Sequence, residues 1–95
     1  MKNVFNLIKS WSFTAFPDAT PENHLRKALH EINEAIQVPN DKEEYADITI
    51  ALFSAVSRAG ISYDEYLSAI EHKLKVNEKR KWKRLSDGTH QHVNS

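Results

Sequence analysis

Two short patterns carry acids at a spacing that can do chemistry: Glu31-Ile32-Asn33-Glu34 and Glu44-Tyr45-Ala46-Asp47. Residues three apart on an α-helix share a face, so each pattern offers two carboxylates side by side. Between them, Val38-Pro39-Asn40 reads as a turn. An antiparallel helical hairpin centred near Pro39 sets residue 31 opposite 47 and residue 34 opposite 44. Glu31, Glu34, Glu44 and Asp47 then meet in one patch. Carboxylates that close repel one another unless something neutralises them. An all-oxygen ligand set selects a hard divalent cation, Mg2+ first and Mn2+ second. Such an ion keeps coordination sites for substrate phosphates, the arrangement of phosphoryl-transfer chemistry. Ala28, Ala35 and Ala51 beside the acids leave room for a lined cleft. The plainer reading is a solvated acidic face, since Glu43 and Glu44 suit a helix N-terminus through the dipole alone. The mirrored spacing about a short turn favours the metal site.

A second group is basic. Lys73, Asn77 and Arg80 stand at i, i+4 and i+7 and share one helix face. Two cations and an amide suit a polyphosphate and a sugar or base edge. Lys75, Lys79, Lys81, Lys83 and Arg84 read as a solvated helix end. A rival reading makes the whole 73–84 block a nucleic-acid patch, with Trp82 stacking on a base. His30 lies about 100° round the helix from Glu31, which disfavours it as a ligand. His24 and His72 are expected to be partly exposed or capping, and His90 and His92 lie in the tail. Trp11, Phe13 and Phe16 read either as an aromatic wall or as core. The chain offers no glycine-rich phosphate loop and no Ser-His-Asp arrangement. A di-iron bundle would want a Glu-x-x-His motif in register, which is absent.

Four helices must position these groups. The first is expected from about Asn3 to Ala15, ending before Pro17. Thr20-Pro21 starts the second, which runs to about Ile36 with Leu25, Leu29, Ile32 and Ile36 as its core stripe. Asp41 and Glu44 suggest a capping box for the third, which carries Tyr45, Ile48, Leu52, Phe53 and Val56 and stops near Gly60. Ser62 and Glu65 repeat that signature for the fourth, expected to reach about Trp82. No strand is expected. Residues 1–85 read as one domain and 86–95 as a flexible polar tail.

The chain has 95 residues, 13 basic and 13 acidic, with no cysteine. Thiolate metal sites and disulfides are therefore excluded. The acids crowd into 31–47 and the bases into 73–84, which allows a metal and phosphates to share a site. A chain this short buries a limited core, so packing against another copy is expected. Neither a signal peptide nor a membrane span is legible, which makes the cytoplasm the expected compartment.

The Glu31-x-x-Glu34 and Glu44-x-x-Asp47 pair resembles the signature of the MazG-like all-α nucleoside triphosphate pyrophosphohydrolases. Trp11, Phe16-Pro17, Thr20-Pro21-Glu22, His24-Leu25 and Arg58-Ala59-Gly60-Ile61-Ser62 are similar to the dATP/dGTP diphosphohydrolase branch common in phages and bacteria. So is Lys73-x-x-x-Asn77-x-x-Arg80-x-Trp82, and the likeness covers roughly residues 5–84. It implies an all-α four-helix bundle completed as a homodimer or homotetramer. It implies Mg2+-dependent hydrolysis of dATP or dGTP to the monophosphate and pyrophosphate. Glu31, Glu34, Glu44 and Asp47 match the family's metal ligands and catalytic acids. Lys73, Asn77 and Arg80 match its phosphate or nucleotide contacts. The chain departs from many relatives in having His30 where they begin the first motif with a further Glu, and Glu43 is a candidate to supply that carboxylate. The alternative is a non-enzymatic helical adaptor or nucleic-acid-binding module using residues 73–84.

Overall fold

The structure, a computed structural model, describes residues 1–93. Four helices follow in order: α1 (Lys2–Ala15), α2 (Pro21–Gln37), α3 (Lys42–Arg58) and α4 (Tyr63–Lys79). Two short antiparallel strands then pair, β1 (Lys81–Arg84) with β2 (His90–Val93), in the register Trp82 to His92 and Arg84 to His90.

Side chains at the helix ends fix these boundaries. Thr20 and Asn23 cap α2 reciprocally: the Asn23 N–H donates to Thr20 Oγ1 at 3.1 Å and the Thr20 N–H to Asn23 Oδ1 at 3.0 Å. Pro21 fits the first helical position because no N–H is needed there. Ser62 and Glu65 form the expected box on α4. The box expected on α3 does not form. Asp41 accepts from the Glu43 N–H at 2.9 Å, and the Glu44 side chain is left for other work. At the end of α3 the Gly60 N–H donates to Ser57 O and the Ile61 N–H to Val56 O. That pattern needs a left-handed residue, and Gly60 has φ +79°.

Packing divides into two parts. The aromatic core joins α1, α3 and the start of α4: Phe5, Ile8, Phe53 and Val56 are buried, with Tyr63 and Tyr66 against them. The Phe5 and Phe53 rings meet at 5.2 Å, the tilted geometry aromatic pairs favour. Against α3 lies α2, with buried Ala28, Ala35, Ala51 and Ala55 allowing close approach.

Two expectations are corrected here. The expected core stripe of α2 faces outward: Leu29 is 58% and Ile36 64% exposed. His24, Ala28, Glu31 and Ala35 are buried instead. The helical period is right and the inner face is the other one. Along α4 no residue is buried, and Leu67, Ile70 and Leu74 stand in water.

The second correction concerns the end of the chain. The fourth helix stops at Lys79 rather than Trp82, because Arg80 turns extended and the Trp82 indole N–H donates back to Asn77 O at 3.0 Å. The fold is mostly helical, not wholly so. In the hairpin turn, Asp87 Oδ1 accepts from the Thr89 N–H at 2.9 Å and Gly88 takes φ +88°. The expected boundary at 85/86 falls inside this turn, and residues 94 and 95 of the expected tail lie outside the described residues.

Candidate active site

Antiparallel packing of α2 on α3 brings three of the four expected carboxylates together. One oxygen each from Glu31, Glu44 and Asp47 lies within 4.8 Å of the others. Glu31 is carried inward on the face of α2 that its alanines press against α3, and its side chain is only 8% exposed. Glu44 and Asp47 stand one turn apart at the start of α3. The fourth acid, Glu34, lies outside that trio but beside it: its carboxyl neighbours Glu31, and its Oε1 lies 3.1 Å from His30 Nε2. The pair is one helical turn apart on α2, so a local contact competes with convergence. His30 therefore touches the edge of the cluster that its helical position argued against.

The electrostatics of the three are unequal. Lys27 Nζ sits 2.7 Å from Glu31 Oε1, and this hydrogen bond holds the Glu31 carboxyl below the usual carboxylate range. Glu44 goes the other way. Burial first, then the charges of Glu34, Asp41, Asp47 and Glu31, push its carboxyl up. Its Oε2 is buried and has no hydrogen-bond partner among the described residues. A buried, unpartnered carboxylate oxygen inside a ring of acids is costly. A hard cation placed among these oxygens would remove that cost, so the donor set fits Mg2+ or Mn2+.

Next to the acids opens a cavity of about 490 Å³. Glu31, Asp47 and Lys27 line one side. Trp11, Phe16, Asn23 and His24 line another, and Ile50, Ala51 and Ser54 lie along α3. Trp11 and Phe16 meet edge to face at 5.4 Å. Of the three aromatics read either as a wall or as core, these two are wall. Phe13 instead lies under Arg58, with the guanidinium carbon 3.9 Å from the ring centroid. Arg58 reaches from the end of α3 to the end of α1, donating to Ser12 O and Pro17 O at 3.2 Å and also to Phe16 O. It thereby anchors the backbone that presents Phe16. His24, expected to be partly exposed or capping, is buried with Nε2 3.4 Å from Ser12 Oγ. Burial and then the charge of Arg58 hold its pKa below the usual histidine value, so the ring is neutral at pH 7.

Lys73, Asn77 and Arg80 do not join the acids within one chain. Lys73 and Asn77 line a separate groove with Tyr66, Ala69, Ile70 and Leu74, and Arg80 caps α4. None of the three lines the acidic cavity. Lys27, Asn23, His24 and Arg58 are the residues that pattern reading passed over as chemistry. Lys27 had a usable signal, since it stands one turn before Glu31 on the same face.

Comparison with known proteins points the same way. Residues 5–95 match the model of the dATP/dGTP pyrophosphohydrolase family. A dATP/dGTP diphosphohydrolase of Salmonella phage PMBT28 is 39% identical over 96% of this chain, which spans 31% of that relative's length. A dATP/dGTP diphosphohydrolase of cyanophage S-2L is 32% identical over 90% of this chain and 81% of its own. A solved structure of the cyanophage S-2L MazG-like pyrophosphohydrolase, bound to dGDP and three catalytic Mn2+ ions per active site, superposes with a TM-score of 0.82. That match is 29% identical and covers 97% of this chain and 95% of the other.

Proposed function

The chain belongs to the dATP/dGTP pyrophosphohydrolase family, and on that footing we propose that it hydrolyses dATP or dGTP to the monophosphate and pyrophosphate in a Mg2+-dependent reaction that Mn2+ also sustains. The observation that carries this reading is the unpartnered buried oxygen of Glu44 within the Glu31, Glu44 and Asp47 cluster, at the edge of an aromatic-walled cavity.

Each part of the site has a task. Glu31, Glu44 and Asp47 would hold the cation, with Glu34 beside them as a further carboxylate. The cation, when bound, neutralises charge developing on the bridging phosphate oxygen. Glu34 or Glu31 orients the attacking water and takes its proton. Trp11 and Phe16 give a purine ring apolar faces to lie against, and Asn23 and neutral His24 offer polar groups at its edge. Those walls also keep bulk water from the reacting phosphate.

Lys73, Asn77 and Arg80 hold the phosphates of a site on a neighbouring copy. Two features support this. The three residues stand apart from the acids of their own chain, and α2 and α4 carry apolar stripes that nothing in the single chain covers. Stripes of that extent belong to an interface, here a homodimer or homotetramer. Among the described residues no helix is long and apolar enough to cross a membrane. The substrates proposed above are those of the cytoplasmic deoxynucleotide pool.

Pyrophosphate release with Mg2+ across a panel of dNTPs and NTPs tests the reading, with Glu44→Gln as control. Release from dATP or dGTP that the control lacks is the expected result. No release from any nucleotide, with the protein folded, would transfer the assignment to the nucleic-acid-binding alternative.

A further inference from the structure

Lys27 is the only lysine or arginine among the described residues that line the cavity. Its ammonium lies 2.7 Å from Glu31 Oε1, on one of the three carboxylates whose oxygens converge. It thus supplies one positive charge where the donor set fits a divalent cation. The lysine side chain itself is 61% exposed, so the ammonium is free to swing on its stem. Helix stability gives this pair the weaker of the two orders. On an isolated helix, an acid one turn before a base is the favoured order, and Glu22 with Arg26 on the same helix has it. Lys27 and Glu31 have the reverse order.

We propose that Lys27 is an internal counter-ion that exchanges between Glu31 and the phosphates of the nucleotide, and so couples metal binding to nucleotide binding. This rests on the function proposed above. Before nucleotide arrives, a cation entering the cluster has to displace the ammonium from Glu31 and then bear a like charge beside it. Phosphates give the ammonium another anion, and the obstacle to the metal disappears. Coupling of this kind is reciprocal, so the metal helps the nucleotide by the same factor. Free Glu31 is thereby guarded against metal alone and opened to metal with substrate.

The test is isothermal titration of Mn2+ into the metal-free protein, with and without saturating dGDP, for wild type, Lys27→Met and Lys27→Arg. Lys27→Met should bind Mn2+ alone more tightly than wild type by about fivefold or more. The factor by which dGDP tightens Mn2+ should shrink correspondingly, leaving only direct phosphate-to-metal contact. Lys27→Arg, which keeps the charge, should behave as wild type. Unchanged or weaker Mn2+ binding by Lys27→Met overturns the proposal, because a purely structural or phosphate-binding lysine would give that result. Wild type taking up no Mn2+ under either condition would instead sink the metal-site reading itself.

Discussion

On α2 and α3 the acids are pressed against one another, whereas on α4 and the β-hairpin the bases stand in water. Glu31 is buried, Glu44 has an oxygen with no donor, and the cluster sits at the seam of two packed helices. Lys73, Lys75, Lys81, Lys83 and Arg84 are exposed, and α4 buries no residue at all. The difference is confined to Glu31 and Glu44, since the other acids are as exposed as those bases. Desolvating a carboxylate beside others is unfavourable without a cation, so the burial of Glu31 and of one Glu44 oxygen supports the metal site proposed above. Solvated bases on a helix with an uncovered apolar stripe are in a different condition. They are preorganised only once something packs on that helix.

The sharpest way to break this contrast is at Glu44. Its replacement by Gln removes the charge and keeps the shape. Losing a metal ligand should cost at least the roughly hundredfold that losing a supporting contact costs, read as pyrophosphate release at saturating Mg2+. Activity within a few-fold of wild type would mean that the cluster is a strained surface and no metal site.

The basic side is tested next by mixing. If Lys73 and Arg80 serve a neighbouring copy, Lys73→Ala and Glu44→Gln damage different halves of each shared site. Each variant alone should be poorly active, and co-refolded mixtures should regain a measurable fraction of wild-type turnover from the sites left intact. Mixtures no better than the two parents averaged would place both groups in the same chain's site.

A smaller effect separates stability from function within the acid cluster. Burial and like charges raise the Glu44 pKa in the folded protein. The folded state then binds a proton more readily than the unfolded one, so ionisation of Glu44 opposes folding as pH rises through the raised pKa. Metal-free Glu44→Gln should therefore melt above metal-free wild type at pH 7, the gap closing as pH falls below the ordinary Glu range. Saturating Mg2+ should reverse the order by stabilising only the wild type. The scan to make is thermal melting at several pH values, with and without metal.

How much of this was legible follows the same division. The acid pairs could be read because helical spacing and a proline turn fix which residues oppose each other, and three of the four meet as that geometry requires. Glu34 escaped because a side-chain preference for His30, one turn away, is decided by rotamer and not by register. The inner face of α2 was read backwards. Leu25, Leu29, Ile32 and Ile36 obey the period of a core stripe, but a single chain uses the other face, where alanines permit close helix contact and Glu31 is carried inward. Hydrophobic period reveals that a face is buried somewhere, not against what. The hairpin was missed although Asp87-Gly88 is a turn signal between two short segments. Its strands, Lys-Trp-Lys-Arg and His-Gln-His-Val, carry only Trp82 and Val93 as apolar residues, too few for the usual alternating strand pattern to show.

The smallest prediction compares two glycines with the same backbone requirement, one on each side of the contrast. Gly60 has φ +79° and Gly88 φ +88°, and a Cβ would meet nothing within 4 Å at the first and only Arg84 Nη2 at 3.8 Å at the second. Alanine at either position therefore introduces left-handed backbone strain of about 1–2 kcal/mol and no clash. Gly60 joins α3 to α4 beside the aromatic core that Val56 and Tyr63 share. Gly60→Ala should lower the melting temperature by about 4–8 °C for each kcal/mol. Gly88 turns a hairpin whose strands are exposed throughout. There the strain can be relieved by opening the hairpin alone, which releases the Trp82 ring from His92, its neighbour at 6.1 Å. Gly88→Ala should change the tryptophan signal while the helical melt stays where it is. Equal shifts in the helical melt would mean that the basic end is locked into the same cooperative unit as the acids, and that the solvated appearance of its side chains conceals a rigid part of the site.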